Sequence, residues 1–226
     1  MARSARVSAK TLAKVEEPKL WNEYKRQSIQ AAVIRLMCRE GVDAVTMERV
    51  AQEVGIAKGT VYLHYHDKQE LLEAVKESAL EPLTAKTEEV LKGGSDGGRK
   101  LRMYALRYLT YFDENRDLFR VLLYEREVTR VVASRYRTPR YRRMLDSMTN
   151  VIADGVRDGI FREVDPRKAA AMFIESNIAL VNQRLLADVN TPVEDDAQLV
   201  ADVFLRGMTS DSGRSGRRSV ALKGRK

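Results

Sequence analysis

Cysteine is almost missing from this 226-residue chain. Cys38 stands alone, so no internal disulfide can form, and a reducing, cytoplasmic setting is the expectation. Histidine occurs only as His64 and His66. With a single cysteine elsewhere they fall short of the donor set a structural zinc needs, and no metal is expected. No apolar run reaches the roughly 18 residues of a membrane span. The segment Met1–Lys19 is basic but has no apolar stretch, so it does not read as a secretory signal. Phosphate loops, metal signatures and nucleophile–base arrangements are also missing, so neither an enzyme nor a bound cofactor is expected. Period-2 alternation, the mark of a half-buried strand, is nowhere sustained, and the expectation is an all-α fold.

The net charge of +8 and the pI of 9.6 suggest a nucleic-acid partner, but the charge is unevenly placed. In residues 1–20, Arg3, Arg6, Lys10, Lys14 and Lys19 oppose Glu16 and Glu17, a net +3. In residues 211–226, Arg214, Arg217, Arg218, Lys223, Arg225 and Lys226 oppose Asp211 alone, a net +5. The stretch between is neutral, so the case for DNA must rest on a motif. Both ends read as disordered: a basic arm over 1–20 and a Gly/Ser/Arg-rich tail over 210–226.

Between the ends the pattern is helical. Ile29, Ala32, Val33, Leu36 and Met37 form one stripe of a helix expected over about 20–39, closed by Gly41. Thr46 is placed to cap a short second helix bearing Met47, Val50, Ala51 and Val54, which Gly55 ends. A third helix is expected over 58–64. A fourth opens with the D-x-x-E capping spacing of Asp67 and Glu70 and runs to about Lys92. After the Gly93–Gly98 loop, helices are expected over 99–113, 116–132, 139–158, 166–188 and 194–208. Asp165-Pro166 and Thr191-Pro192 read as the caps of the last two.

The chemistry concentrates in Thr46–Leu71. Two short helices meeting at Gly55 are marginal alone and must pack on their neighbours. Gly55 permits a positive-φ turn, and Ile56 and Val61 anchor the third helix inward. That leaves Lys58, Gly59, Thr60, Tyr62 and His64 facing out. A slim helix start, a cation, a hydroxyl and ring donors suit a major groove: Lys58 can bond a guanine edge or a phosphate, the Thr60 methyl can touch thymine, and Tyr62 and His64 can donate to phosphates. Backbone N–H groups at Thr46, Met47 and Lys68 are placed to hold phosphates on either side.

This stretch resembles the DNA-binding region of TetR-family regulators. The residues that carry the resemblance are Gly55, Gly59-Thr60-Val61-Tyr62-Leu63-His64-Tyr65 and Lys68-Gln69-Glu70-Leu71, and it extends over about residues 24–75. It implies an N-terminal three-helix DNA-binding domain with a helix-turn-helix, here residues 21–67. It also implies a helical ligand-binding and dimerisation domain, here 68–209. Thr46, Met47, Lys58, Gly59, Thr60, Tyr62, Leu63, His64 and Lys68 match the family's DNA-contacting positions. The implied function is a repressor acting on double-stranded operator DNA and released by a small-molecule effector. Two departures stand out. Ala57 replaces a polar cap, and Tyr65-His66 replaces Phe followed by a basic or polar residue, with Tyr65 expected to wedge into the core and its hydroxyl to lie near solvent.

Tyr104, Tyr108, Tyr111 and Phe112 fall at helical spacing. Core packing explains them, and so does an effector cavity shared with Phe119, Leu122, Leu123, Met144, Met148, Ile152, Phe173 and Asn177. Arg135, Arg137, Arg140, Arg142 and Arg143 have no acidic neighbour in sequence; a solvated loop and an attractor for an acidic effector both account for them. The helices 166–188 and 194–208 carry more apolar surface than one stripe needs, as a homodimer interface would. Trp21 is expected to pack the first helix on the bundle, and Cys38 to sit in or at the edge of the core. A non-specific architectural DNA binder is the rival reading.

Overall fold

The computed structural model describes the backbone of residues 9–123, 136, 138–187 and 189–209, and the side chains among them except residues 9–20 and Leu123. The expected tail over 210–226, the start of the basic arm, Arg135 and Arg137 lie outside these residues. Helices make up the described chain, with no strand beyond one isolated bridge between Phe161 and Thr209. The chain divides into two compact units between Ala79 and Leu80.

In the first unit, α1 spans Ala9–Glu40, starting well before the expected residue 20. The added turns, AKTLAKVEEPK, are rich in Ala, Lys, Glu and Leu, which favour helix without forming an apolar stripe. The predicted stripe of Ile29, Ala32, Val33, Leu36 and Met37 is fully buried. Gly41 ends the helix at φ +84°, its N–H bonded to the Met37 carbonyl at 2.8 Å. A 3₁₀ turn, Val42–Ala44, leads to Thr46, whose hydroxyl accepts from the Arg49 N–H at 3.2 Å and starts α2, Met47–Val54. Gly55 turns at φ +76° into α3, Lys58–His64, which has no side-chain cap at Ala57. Next comes α4, Lys68–Lys92, whose first turns bury Leu71 and Val75. Asp67 accepts from the Glu70 N–H at 2.8 Å, while the Glu70 carboxylate accepts from the His66 N–H at 2.6 Å, so the capping pair closes one residue further back than the usual box.

The second unit holds the remainder of α4 with α5 (Gly97–Glu114), α6 (Arg116–Leu123), α7 (Pro139–Arg157), α8 (Pro166–Leu186) and α9 (Val193–Met208). Asp96, Thr138 and Asp165 cap α5, α7 and α8, each accepting backbone N–H bonds in the first turn. Packing runs α5 on α9, α7 on α8, and α5 on α8. The expected cap at Thr191 does not form: α9 begins after Pro192 with no side-chain cap. The Thr191 carbonyl accepts instead from Arg184 at 2.8 Å. Arg184, buried on α8, also donates to Asp113 at 2.9 Å and to Asp196 at 2.6 Å, drawing α5, α8 and α9 around one cation.

Candidate nucleic-acid interface and effector core

Val61 is fully buried and fixes the register of α3; Ile56 is half-buried beside it. The rotation this imposes turns Lys58, Gly59, Tyr62 and Leu63 outward, with Thr60 and His64 half-buried at the edges. Leu63 is 83 % exposed on the same outward side as Lys58 and Tyr62. Lys58 pairs with Glu48 of α2 and lies over the Tyr62 ring, 5.6 Å from its centroid. Glu48 in turn holds the Lys58 ammonium above its ordinary pKa and is itself lowered by the pair. The cation is thus oriented on the exposed face and carries an anion that a phosphate can displace.

Two predicted contact residues point elsewhere. The Met47 side chain is 6 % exposed and belongs to the core, so only its backbone faces out at the start of α2. Lys68 is half-buried, and its ammonium donates to the Val42 carbonyl at 2.9 Å, tying the start of α4 to the 3₁₀ turn. Thr46 is exposed, but its hydroxyl is engaged as the cap of α2.

Other residues join this face without having been read from the sequence. Lys25 and Arg26 of α1 stand close enough to His64 to lower its pKa, after burial as the leading cause. Arg26 lies over the Tyr65 ring at 5.3 Å. Trp21, expected to pack inward, is 59 % exposed; it stacks on Tyr24 with ring centroids 6.0 Å apart and carries Lys25 over its face at 5.1 Å. Alternation of cation and ring was the available signal. Tyr65 wedges into the core as expected, but its hydroxyl is enclosed with it and accepts from Gln30 at 2.9 Å. Cys38 is exposed, because it falls just off the buried Met37 side of α1.

Residues 29–75 match the family model described as bacterial regulatory proteins of the tetR family. Over a longer span the chain is 23 % identical to the transcriptional repressor KstR2 of Rhodococcus jostii, covering 82 % of this chain and 92 % of the relative. The stretch matched by the family model takes in α2, α3 and the first turns of α4. Among solved structures with this fold are the TetR-family regulator PfmR of Thermus thermophilus and the regulator FadR of Bacillus subtilis in complex with stearoyl-CoA. PfmR has 25 % identity and TM-score 0.57, covering 79 % of this chain and 97 % of that one. FadR has 17 % identity and TM-score 0.65, covering 80 % and 98 %. The neighbours' likeness thus reaches well beyond residues 29–75.

In the second unit, the residues expected around an effector are packed together as core. Tyr104, Tyr108, Phe112, Phe119, Met148, Ile152, Phe173 and Asn177 are buried, as are Tyr111 and Met144, while Leu122 is half-buried; the side chain of Leu123 lies outside the described residues. The rings form a continuous series from Phe204 through Phe173, Tyr104, Tyr108 and Phe112 to Phe119. An open groove of about 430 Å³ lies elsewhere, between α8 and α9, lined by Lys168, Met172, Val203, Phe204 and Met208 among others. Arg143, read as unpaired, reaches Glu88 at 3.8 Å.

Proposed function

We propose that the protein is a homodimeric transcriptional repressor of the cytoplasm that binds a pseudo-palindromic operator through α2 and α3 and leaves it when a small molecule enters the second unit. The observation that carries this reading is the outward set on α3: Lys58, Tyr62 and Leu63 exposed around an anchored Val61, on a helix set by the left-handed turn at Gly55. Lys58 and the Thr60 methyl read base edges. Tyr62, His64, Lys25 and the backbone N–H groups opening α2 and α4 hold phosphates.

Dimerisation is supported by Met172, Leu199 and Val203, all exposed on α8 and α9 at or beside the apolar groove. Apolar surface gathered on two adjacent helices marks a partner site more often than a monomer's ordinary surface. Two copies place their α3 helices about 34–36 Å apart, one turn of duplex. The effector role draws on FadR, a protein of this fold crystallised with an acyl-CoA, and on the aromatic core above.

The test is selection of duplexes from a random pool by the purified protein, followed by salt-dependent competition. A palindromic consensus with strong preference over random DNA is expected. Tyr62→Ala should weaken binding to that consensus about ten-fold, a loss of roughly 1.4 kcal/mol, without moving the melting temperature. No consensus, with equal affinity for every duplex, is the architectural outcome and overturns the reading.

A further inference from the structure

The aromatic core keeps a polar group where an apolar one would pack at lower cost. Asn177 is fully buried on α8. Its amide nitrogen donates to the Phe173 carbonyl at 2.8 Å. Only the nitrogen can make that bond, so the amide orientation is fixed and the oxygen is the branch directed away from the helix backbone. No donor among the described residues reaches that oxygen. Buried acceptors left unmatched are rare and destabilising, and a native core that keeps one needs a reason.

The direction of that oxygen follows from the stripe it belongs to. Phe173, Asn177 and Arg184 share one side of α8. Phe173 meets the Tyr104 ring at 5.9 Å, and Arg184 meets Asp113 at 2.9 Å, both on α5. Asn177 therefore faces α5 between these levels, where Tyr104 and Tyr108 stack at 5.6 Å and Phe112 follows at 5.1 Å. Close by, the Tyr104 hydroxyl gives its hydrogen to the Met144 sulfur at 2.9 Å, a weak acceptor, and burial holds this phenol neutral, well above its ordinary pKa. Met144 and Met148 are flexible, unbranched side chains whose rotamer changes make room between α5 and α7.

We infer that the Asn177 Oδ1 atom is the polar anchor of the effector site, and that the effector is a flat, apolar molecule bearing one neutral hydrogen-bond donor, such as a phenol, an alcohol or an amide. A molecule that ends there in a carboxylate brings no donor and sets a negative charge against a carbonyl oxygen. The inference rests on the effector reading above and names the chemistry of its ligand.

The probes are 4-phenylphenol, its methyl ether and biphenyl-4-carboxylate, titrated calorimetrically into the full-length protein. The phenol should bind at least about ten-fold more tightly than either analogue, the size of one hydrogen bond to a buried acceptor. In Asn177→Leu that preference should vanish, while the variant without probe melts at the same or a higher temperature because an unmatched acceptor has gone. Asn177→Ala keeps the space open and should lose the preference too, which covers the case in which leucine overfills the core. Equal binding of the three probes, no binding of the phenol, a preference that survives both variants, or a marked fall in the melting temperature of Asn177→Leu overturns the inference; the last outcome makes the oxygen a structural acceptor already satisfied, for example by water. Operator selection does not involve Asn177. A protein that sorts the probes but selects no operator breaks only the regulator reading, and one that selects an operator but ignores the probes breaks only this inference.

Discussion

Among the described residues, the buried polar side chains other than aromatic ones are Thr84, Thr87, Asn177 and Arg184, and all four belong to the second unit. In the first unit the charge network between α1 and α2 lies at the surface, where Arg35 and Arg39 bridge to Glu53 at 3.2 and 3.1 Å. The contrast separates two uses of one helical chemistry. On the proposed function, the first unit must present a fixed face to a duplex and gains from an interior with few polar groups to re-pair. The second must then admit a ligand and gains from polar groups whose partners can be exchanged.

The largest effect should come from breaking that contrast at Arg184. Its side chain is 5 % exposed and divides its donors among Asp113, Asp196 and the Thr191 carbonyl. Arg184→Ala leaves Asp196 and the Thr191 carbonyl without their cation and Asp113 with Arg116 alone, at 3.2 Å, and should cost about 3 kcal/mol in urea denaturation. Arg35→Ala, which removes an exposed ion pair of the first unit, should leave the denaturation midpoint within error. If the two variants lose similar stability, the distinction between an interior built on charge and a surface decorated with it fails.

What could be read from the sequence follows the range of the interactions involved. The caps at Thr46 and Asp165, the left-handed turn at Gly55 and the buried side of α3 depend on neighbours within one or two turns, and local rules placed them. Thr191-Pro192 satisfied the same local rule and misled, because Arg184 claims Thr191. The Asp113 that completes that site lies 71 residues from Arg184 in sequence, and no periodicity announces it. Trp21 misled for a subtler reason. It continues the row of Ile29 backward along α1, but Lys25 interrupts that row, and the apolar stripe has already ended where Trp21 stands. Asn177 was named among the effector residues from its position alone; its unmatched oxygen became visible only once Phe173 and α5 were in place.

Two glycines sharpen the comparison with a single kind of substitution. At Gly155 an added Cβ would lie 2.3 Å from the Phe161 ring, which is itself buried in the core. The ring would have to shift within that packing, so Gly155→Ala should cost about 2 kcal/mol through overpacking. At Gly55 nothing lies within 4 Å of an added Cβ, yet φ is +76°. Gly55→Ala should cost about 1 kcal/mol through backbone strain alone. Denaturation of both variants reads the order directly. A larger loss at Gly55 would mean that the turn between α2 and α3, not the packing around Phe161, is the tighter constraint.

The smallest effect is the most diagnostic for the DNA-facing unit. His64 has its pKa lowered, first by burial and then by Arg26 and Lys25, so the neutral imidazole is favoured in the free protein. For folding, a lowered pKa means that the unfolded chain binds the proton more readily; the contribution of His64 to stability is present above its ordinary value near 6.5 and is lost as pH falls through the folded value. For DNA binding the sign reverses. A phosphate beside the ring stabilises the imidazolium, so the bound pKa rises and the complex takes up a proton. Between pH 8 and pH 6, operator affinity at constant ionic strength should therefore increase, while the melting temperature of the free protein drifts down. His64→Gln should flatten both profiles. Affinity that is indifferent to pH in the parent protein would remove His64 from the phosphate contacts and leave Lys25 and Arg26 to account for that edge of the interface.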